Sequence, residues 1–413
     1  MSYSNKGEIQ IESEFNKLDI SDTDHENCQP WCKECVPHCI IEGWTSENND
    51  IDEFIKGTIY SAYDGTLFLE WVPFDRFEDV KQIGEGGFAK VYSAMWIDGK
   101  SKYFRKKGGS WEKSKSEPIK VALKKLNESQ NISADYLNEL KTHWNLYSLN
   151  GLTLNFYGMT KDPETKEFMM IIKLADKGNL RCELSSNFNN YLWVNKLSFL
   201  MKILYDLEAL HELECFHKDF HSGNILLDNQ MTFVSDFGLS RPSNEQKSDD
   251  KICGFGVIMT ELSSGKPPFY ERKHDTSLAL AVCNGLRPEF GNGTPEIFKK
   301  LAYRCMNANP NQRPTSSELR DIISFWYNSC GDNDDGKEKR KEIKAIFEEA
   351  DKKIPNVSTS YEKVPGAIYT SRVFTFNNLS KPVNSSIITS YLNDEEDIKD
   401  CQDSKLFDLE VPN

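Results

Sequence analysis

The stretch His217-Lys-Asp-Phe-His-Ser-Gly-Asn-Ile-Leu-Leu227 decides the fold class of this chain, and Asp236-Phe-Gly238 follows it after a short strand-like segment. The stretch contains a carboxylate, Asp219, and an amide, Asn224. A second carboxylate, Asp236, completes an oxygen-rich set, and Mg²⁺ prefers such oxygens when phosphates complete its coordination shell. Asn224 and Asp236 are therefore candidate metal ligands, which leaves Asp219 to accept the proton of an incoming hydroxyl.

A glycine-rich turn lies far upstream, in Ile83-Gly-Glu-Gly-Gly-Phe-Ala-Lys-Val91. Because glycine has no side chain, backbone N–H groups in such a turn can approach the phosphates of a nucleotide closely. Ile83, Gly84 and Gly86 are the candidate contacts. An ordinary hairpin turn explains the same residues, and Ala89 occupies the position of a third glycine, so this motif alone leaves both interpretations open.

A lysine and a glutamate follow on two predicted elements. Lys124 ends the strand-like run Val121-Ala-Leu-Lys124, and Glu139 lies on a helix predicted from the N-cap candidate Ser133 to Tyr147. A strand lysine that pairs with a carboxylate can neutralise phosphate charge. Taken singly, each of these two residues is more often a solvated surface group. Only their combination with the other motifs indicates a shared site.

All four motifs, in this order, resemble the protein kinase superfamily, and its tyrosine-kinase-like group in particular, over about residues 77–327. The resemblance implies an α+β, bilobal protein-kinase-like fold with a small β-rich N-lobe and a larger helical C-lobe. It implies a serine/threonine protein kinase that uses ATP and Mg²⁺ to phosphorylate protein hydroxyls in intracellular signalling. We therefore expect a cytoplasmic enzyme whose partners are ATP and a protein substrate or signalling protein.

The resemblance also implies roles for individual residues. Lys124 would hold the α- and β-phosphates of ATP, oriented by Glu139, and Asp219 would be the catalytic base. Asn224 and Asp236 would bind Mg²⁺. The residues implied around the nucleotide are Ile83, Gly84 and Gly86 near the phosphates, Val91, Ala122 and Leu226 around adenine, Ile172 as the gatekeeper and Leu174 in the hinge.

One part of the family pattern is missing. After the Asp-Phe-Gly motif the family has an activation segment that ends in Ala-Pro-Glu and leads into a helix that begins with aspartate. Here residues 239–251 lead directly into Ile252-Cys-Gly-Phe-Gly256, and Thr294-Pro-Glu296 lies too far downstream to be the missing motif. The peptide-binding end of the segment is therefore absent. This predicts that Arg313 lacks its usual glutamate partner and that Lys251 replaces the helix-start aspartate.

This absence keeps two further hypotheses open beside the active kinase. The first is a pseudokinase, an ATP-binding signalling scaffold that transfers no phosphate. The second is a mis-spliced product of an active kinase gene. The intact ATP-handling motifs favour the active kinase, whereas the missing Ala-Pro-Glu region favours the pseudokinase.

Three smaller departures lie within the matched motifs. Lys218 replaces an arginine before the catalytic aspartate and loses the bidentate fork of that side chain. His221 replaces a lysine that contacts phosphate in serine/threonine kinases. His143 replaces an apolar residue, and we expect a hydrogen-bonded, partly buried imidazole there rather than a switch.

The ends of the chain differ in composition from the middle. Residues 1–27 are polar and acidic, which predicts disorder, and residues 28–76 form a cysteine-containing N-terminal extension. Residues 328–413 are rich in serine, asparagine and charge. This composition predicts a mostly disordered tail, with one helix near Lys337–Lys352.

Two clusters near the N-terminal half have alternative explanations. Zinc ligands of the right type lie at Cys28, Cys32, Cys35, His38 and Cys39. A reduced, partly exposed segment explains the same residues, since no second Cys/His pair follows at finger spacing. A basic insertion lies between Asp98 and Pro118, and it is either a solvated hairpin or a docking patch.

The composition of the whole chain excludes several classes of protein. Its net charge of −14 argues against a binder of nucleic acid or of anionic membranes. No apolar run approaches the ~20 residues that a membrane span needs, and residues 1–15 lack the pattern of a secretory signal. The cysteines number 11, an odd count, and we expect them to be reduced thiols.

Overall fold

This computed structural model contains two lobes, one built on a β-sheet and the other on helices. The bilobal α+β fold predicted from the sequence is thus confirmed. The structure describes residues 38–62, 66–87, 89–105, 111–126, 129–130, 132–150, 153–229, 231–242, 253–331, 338–370 and 379–393. Residues 1–27, the cysteines at positions 28, 32 and 35, and the side chains of His38 and Cys39 lie outside this description.

The N-lobe strands, in chain order, are β1 (Glu70–Trp71), β2 (Phe77–Glu85), β3 (Ala89–Trp96), β4 (Tyr103–Arg105), β5 (Trp111–Lys113), β6 (Ile119–Leu126), β7 (Phe156–Lys161) and β8 (Phe168–Lys173). β4 and β5 pair with each other as a hairpin inside the predicted insertion. The other strands form one sheet in the order β1-β7-β8-β6-β3-β2. Neighbours in this sheet are antiparallel, except that β1 runs parallel to β7.

Three helices accompany this sheet in the described residues: α1 (His38–Ile41), α2 (Asn49–Tyr60) and α3 (Ala134–Asn150). Asn48 caps α2 by accepting a hydrogen bond from the backbone N–H of Ile51. Ser133, the N-cap candidate of α3, accepts a hydrogen bond of 3.2 Å from the backbone N–H of Tyr136. Both helix starts therefore lie where short polar side chains can satisfy the first N–H groups.

The C-lobe contains α4 (Leu180–Asn187), α5 (Trp193–Glu212), α6 (Cys253–Ser264), α7 (Thr276–Cys283), α8 (Glu296–Cys305), α9 (Ser316–Cys330), α10 (Glu338–Asp351) and α11 (Ser386–Asn393). Short strands shape its loops: β9 (Gly178–Asn179), β10 (Cys215–Phe216), β11 (Ile225–Leu227), β12 (Thr232–Val234) and β13 (Arg241–Pro242). α5 contributes buried side chains to the core of the lobe from Trp193 to Leu210, and its exposed side chains, such as Tyr205, lie on another face.

The C-terminal tail differs from the prediction. α10 lies where one helix was predicted, but it is packed into the C-lobe core through Ile343, Phe347 and Ala350. Residues 353–370 and 379–393 are also ordered, and Ala367 and Ile388 are fully buried there. The expectation of a mostly disordered tail is therefore wrong for these segments.

Backbone hydrogen bonds explain why the composition of the tail did not predict its order. The N–H of His274 donates to the backbone oxygen of Gly366 at 3.0 Å, and the N–H of Val383 donates to that of Cys283 at 2.8 Å. Such bonds need no apolar periodicity in the tail, because an existing surface supplies the partners. A few anchoring side chains are then enough to hold a polar segment.

The basic insertion is only partly solvated. Lys102, Lys113 and Lys115 are exposed, as a solvated hairpin would have them. Lys100 instead donates to Glu70 Oε1 at 2.8 Å and to the backbone oxygen of Phe68 at 2.7 Å. This lysine therefore ties the insertion to the segment that leads into β1.

Candidate active site

A buried lysine connects candidate residues from three distant segments. Lys124, on β6, places its Nζ 2.5 Å from Glu139 Oε1 on α3 and 3.1 Å from Asp236 Oδ1. β6 lies between β3 and β8 and is paired on both edges, so the backbone of Lys124 is fixed. Glu139 is only 3% exposed. The structure thus brings the predicted lysine, glutamate and second aspartate into one cluster.

The charges of this cluster depend on one another. Burial alone would lower the pKa of Lys124, but the charges of Asp236 and Glu139 outweigh burial and raise that pKa above its ordinary value. Burial would likewise raise the pKa of Asp236, but the charge of Lys124 reverses this and lowers it. At neutral pH, Lys124 is therefore a cation and Asp236 is an anion.

Asp219 and Asn224 lie on one tight loop after β10. Asn224 Nδ2 donates to the backbone oxygen of Asp219 at 2.9 Å and to its Oδ2 at 3.1 Å. The backbone oxygen of Asn224 accepts two bonds from Ser235, one from its N–H at 2.9 Å and one from its Oγ at 3.0 Å. Ser235 immediately precedes Asp236, so the two candidate metal ligands are linked through a single residue.

The chemistry of this pair fits a magnesium ion. The amide nitrogen of Asn224 holds Asp219, and its carbonyl oxygen remains to act as a ligand. Asp236 has a φ of 69°, a conformation that is uncommon outside glycine and that concentrates at functional sites. Proteins commonly bind Mg²⁺ with few side-chain oxygens plus substrate phosphates. Within the described ranges, no group of three or more His, Cys, Asp or Glu side chains is arranged for a metal.

A column of aromatic rings runs from His217, before Asp219, through His143 of α3 to Phe156 of β7. Ring centroids are 5.4 Å apart between His217 and Phe237, 5.6 Å between Phe237 and His143, and 5.2 Å between His143 and Phe156. His143 Nε2 lies 3.0 Å from the backbone oxygen of Leu154. Burial lowers the pKa of His143 to about 4, so its imidazole is neutral at physiological pH. The expected hydrogen bond is present, and burial is more complete than expected.

The residues implied around adenine lie together. Val91, Ala122, Ile172, Leu174 and Leu226 all belong to, or pack against, one apolar cluster of the N-lobe. The strand register explains part of this, because Ala122 on β6 lies opposite Ile172 on β8. An apolar surface of this kind suits the flat faces of a nucleobase.

The glycine-rich turn is the hairpin between β2 and β3. The N–H of Gly86 donates to the backbone oxygen of Ala89 at 2.8 Å, which closes the turn. Gly84 lies opposite Val91 in the strand register, so the turn adjoins the apolar cluster. Ile83 is 52% exposed. The two interpretations of this motif are therefore compatible, since an ordinary hairpin places the glycines beside the candidate nucleotide pocket.

The sequence analysis did not predict a series of charged side chains beside the loop that holds Asp219 and Asn224. Arg181 Nε donates to Glu261 Oε1 at 3.0 Å, and Ser222 Oγ donates to Glu261 Oε2 at 2.7 Å. Arg181 Nη1 donates to the backbone oxygen of Tyr369 at 3.2 Å, and its guanidinium lies 4.8 Å from that residue's ring. The tail therefore contacts a residue that supports the loop. No local pattern could reveal these contacts, because the partners are far apart in sequence.

The structure tests some of the predicted departures from the family pattern. Residues 243–252, including Lys251, lie outside the described residues. Arg313 Nε donates to the backbone oxygen of Asn307 at 2.8 Å. This bond involves no carboxylate, so the expectation that Arg313 lacks its usual glutamate partner stays a prediction. Lys218 is exposed, with a φ of 60°. His221 Nε2 lies 3.5 Å from Asp219 Oδ1, so this imidazole is close to the candidate base.

Comparison with known families gives one broad match. The model of the protein tyrosine and serine/threonine kinase family matches residues 77–252 and 243–323. The match divides into two parts at the place where the Ala-Pro-Glu region is missing from the sequence. Among the described residues, no helix is long and apolar enough to cross a membrane.

Individual relatives are distant and much longer. The probable serine/threonine-protein kinase pats1 of Dictyostelium discoideum is 28% identical over 282 residues, which cover 61% of this chain and 8% of that protein. The dual specificity protein kinase pyk3 of the same organism is 25% identical, over 66% of this chain and 19% of its own length. The probable LRR receptor-like serine/threonine-protein kinase RFK1 of Arabidopsis thaliana is 26% identical, over 64% and 28% respectively.

Proposed function

This chain belongs to the protein tyrosine and serine/threonine kinase family, and we propose that it is a serine/threonine protein kinase of the tyrosine-kinase-like group. It transfers the γ-phosphate of ATP to protein hydroxyls in cytoplasmic signalling. The observation that supports this proposal most is the contact of Lys124 with both Glu139 and Asp236. A cation held by two carboxylates from different segments is suited to receive a polyanionic substrate.

Each candidate residue then has a role in phosphotransfer. Lys124 binds the α- and β-phosphates, and Glu139 orients it. Asp219, held by Asn224, accepts the proton of the incoming hydroxyl. Mg²⁺ held by Asn224 and Asp236 would supply neutralisation of phosphate charge. The residues proposed to surround the nucleotide are Ile83, Gly84, Gly86, Val91, Ala122, Ile172, Leu174 and Leu226.

The serine/threonine preference and the group assignment have a weaker basis than the family. Two of the relatives above are named as probable serine/threonine kinases and one as a dual specificity kinase. The sequence motifs resemble the tyrosine-kinase-like group, which includes serine/threonine enzymes. The relatives' length means that substrates of the whole proteins are not transferred to this chain.

A pseudokinase is the second candidate function, and the sequence of the activation segment favours it. Positioning of the hydroxyl supplies most of the catalysis in phosphoryl transfer. The family's platform for the substrate lies before Ala-Pro-Glu, and this chain lacks that motif after Gly238. A protein with intact ATP contacts and no platform would bind nucleotide and transfer little phosphate.

Nucleotide binding and phosphotransfer separate the two candidates. We expect Mg-ATP to raise the melting temperature of the full chain, since a ligand that binds only the folded state stabilises it. Lys124→Met should reduce this shift. Phosphotransfer to a mixture of serine-, threonine- and tyrosine-containing proteins should fall about a hundredfold or more in Asp219→Asn. A thermal shift without phosphotransfer would indicate the pseudokinase, and the absence of both would refute ATP-dependent function.

Repair of the activation segment tests the cause of weak transfer. A family-type segment, with the helix-start aspartate, is inserted between Asp250 and Ile252. We expect phosphotransfer to rise, because the insertion restores a surface that can hold the substrate. Asp219→Asn in the repaired protein should remove the gain. No gain after insertion would show that the missing segment is not what limits the reaction.

A further inference from the structure

Residues 359–370 of the tail, which we call the strap, are bonded to the C-lobe through their backbone. His274 Nδ1 donates to the backbone oxygen of Ile368 at 2.8 Å. Arg181 Nη1 donates to the backbone oxygen of Tyr369 at 3.2 Å. Backbone oxygens are present in every polypeptide. The surface under the strap is therefore suited to a polypeptide chain, and side-chain contacts decide which chain it prefers.

One side chain of the strap makes a specific contact. The ring centroid of Tyr369 lies 4.8 Å from the guanidinium carbon of Arg181 and 4.9 Å from the ring centroid of His274. The hydroxyl of Tyr369 donates to the backbone oxygen of Pro268 at 3.1 Å. A cation, an imidazole and a backbone acceptor thus surround this tyrosine, which is a favourable environment for its ring and its O–H group. Tyr369 is therefore the side chain that anchors the strap.

The strap has few buried side chains, unlike α10. Ala367 is the one fully buried residue between positions 359 and 370, and Ile368 is 39% exposed. α10, by contrast, contributes Phe347 to the core of the lobe. Segments with few buried apolar contacts open at a low free energy while the rest of the protein stays folded. The strap can therefore detach while α10 remains in place.

The strap lies close to the loop that holds Asp219 and Asn224. A Cβ on Gly223, the residue before Asn224, would lie 3.5 Å from Arg181 Nη1. The same nitrogen donates to the backbone of Tyr369, so one guanidinium group lies between the loop and the strap. A protein substrate that presents a hydroxyl to Asp219 also brings its flanking residues, at about 3.3–3.6 Å per residue. Flanking residues on one side reach the surface that the strap covers, and two chains cannot both occupy it.

We propose that the strap is an autoinhibitory element that competes with protein substrates for the surface beside the Asp219 loop. Within the described part of the chain, the strap contacts the C-lobe, whereas most residues proposed around ATP lie in the N-lobe. The docked strap therefore blocks protein substrates and leaves nucleotide binding intact. Release of Tyr369 opens the surface. This inference rests on the proposed function, because the competition matters only if proteins are phosphorylated at this site.

Transfer to protein and transfer to water separate competition from damage to the site. In the full chain carrying Tyr369→Ala, kcat/KM for dephosphorylated casein should rise about fivefold or more, because the strap no longer competes. Hydrolysis of ATP should stay within about twofold, since water needs no polypeptide surface. Tyr369→Phe keeps the ring and loses the donor to Pro268, so its rise should be smaller. Ile368→Ala truncates an exposed neighbour without changing the backbone, and this matched control should alter neither reaction.

Two kinetic results overturn the inference. The first is an unchanged kcat/KM for casein in Tyr369→Ala, in a chain that phosphorylates casein. The second is an equal rise in casein phosphorylation and ATP hydrolysis, because the strap would then act on the nucleotide site rather than on access of the substrate.

Peptide binding tests the surface without any need for activity. A fluorescent peptide of residues 359–370, followed by anisotropy, should bind the Tyr369→Ala chain about tenfold more tightly than the wild-type chain. The tethered strap of the wild type competes at a high effective concentration. The same peptide with Tyr369→Ala should bind the variant chain about tenfold more weakly. Equal binding of the unmodified peptide to both chains, or binding to neither, overturns the inference.

Failure of the proposed function gives a different result. If neither chain phosphorylates casein while the peptide still prefers the Tyr369→Ala chain, the kinase proposal fails. The strap is then still shown to be an intramolecular ligand of a polypeptide-binding surface.

Discussion

Asp351, at the end of α10, accepts a hydrogen bond of 2.7 Å from the backbone N–H of Trp193, the first residue of α5. The first N–H groups of a helix have no partner within it, and a carboxylate at that end also interacts favourably with the helix dipole. The buried Lys196 lies 4.9 Å from the ring of Trp193 and is attracted by the same carboxylate. The tail therefore completes the start of the lobe's central helix.

Truncation of a buried tail residue should destabilise the protein. Phe347 is 1% exposed, and its ring lies 5.7 Å from Trp193 and 5.8 Å from Trp326. We expect Phe347→Ala to lower the free energy of unfolding by about 3–5 kcal/mol, measured by urea denaturation. The control is Ile346→Ala, whose exposed side chain should contribute less than about 1 kcal/mol. Equal effects of the two substitutions would contradict the packing of α10 on the core.

His143 should make the protein less stable in mild acid. Burial lowers its pKa in the folded chain to about 4, from an ordinary value of 6.5. As the pH falls from 6.5 towards 4, the unfolded chain therefore binds a proton that the folded chain does not, and the free energy of unfolding decreases. The loss should reach about 3 kcal/mol. Above this window the residue has no effect on the pH dependence.

The comparison protein for this measurement is His143→Leu, unfolded by urea between about pH 4.5 and 7.5. The variant should lack this part of the pH dependence, whatever its absolute stability. His217 and His211, whose pKa values burial also lowers, remain in both proteins. If the free energy of unfolding changed with pH in the same way for both proteins, the assignment of this pH dependence to His143 would be refuted.

Asp206 should give the opposite pH dependence of the free energy of unfolding. Burial raises its pKa to about 8, although its Oδ2 accepts the backbone N–H of Val234 at 2.7 Å. The folded chain therefore keeps a proton that the unfolded chain loses above its ordinary pKa of 3.8, so the free energy of unfolding decreases as the pH rises from about 4 to 8. Asp206→Asn keeps an acceptor for Val234 and cannot ionise. Its stability advantage in urea denaturation should grow over this range, and a constant difference would contradict the prediction.

The contact between Arg181 and Glu261 should be non-additive on mutation. Glu261 is 2% exposed, and removal of a cation from a buried carboxylate costs about 3–5 kcal/mol. We expect Arg181→Ala to lower the free energy of unfolding by close to that amount, measured by urea denaturation. The double variant Arg181→Ala/Glu261→Ala should show a decrease in the free energy of unfolding that is clearly smaller than the sum of the two single decreases, because no unpaired carboxylate remains. Additive losses would show that the two side chains do not stabilise each other.

Arg181→Ala should also release part of the tail. The guanidinium donates to the backbone of Tyr369 and lies against its ring. Hydrogen exchange in residues 359–370 should therefore accelerate, while α10 remains protected. The same measurement on Glu362→Ala, an exposed position of the same segment, provides the control. Unchanged exchange at residues 359–370 would mean that the other backbone bonds of this segment hold it unaided.

Contiguous motifs made the active site predictable. Lys124, Glu139, Asp219, Asn224 and Asp236 lie in short segments whose residue types and order indicate phosphate chemistry. The family fold is sufficient to bring these residues together, because its strands and loops place the segments side by side. The pairing of Lys124 with Glu139 was expected for this reason, whereas the bond from Lys124 to Asp236 was not predicted and is seen only in the structure.

Composition was a poor guide to the ends of the chain. Residues 353–370 have no regular apolar pattern, and their order depends on backbone bonds and on rings such as Tyr369 against His274. Arg313 was expected to lack its usual glutamate partner, and the sequence did not predict that its Nε would donate a hydrogen bond to the backbone oxygen of Asn307. Both cases involve backbone acceptors, which any sequence provides.

The sequence by itself determined the bilobal fold and the residues of the candidate active site, because the proposed phosphate and metal chemistry requires particular side chains at particular spacings. It also predicted one helix near Lys337–Lys352, where α10 lies. Only the tertiary structure decided where the two ends dock. The surfaces that receive α2 and the tail are assembled from distant segments, so the complementarity that selects a docking position does not exist until the lobes have folded.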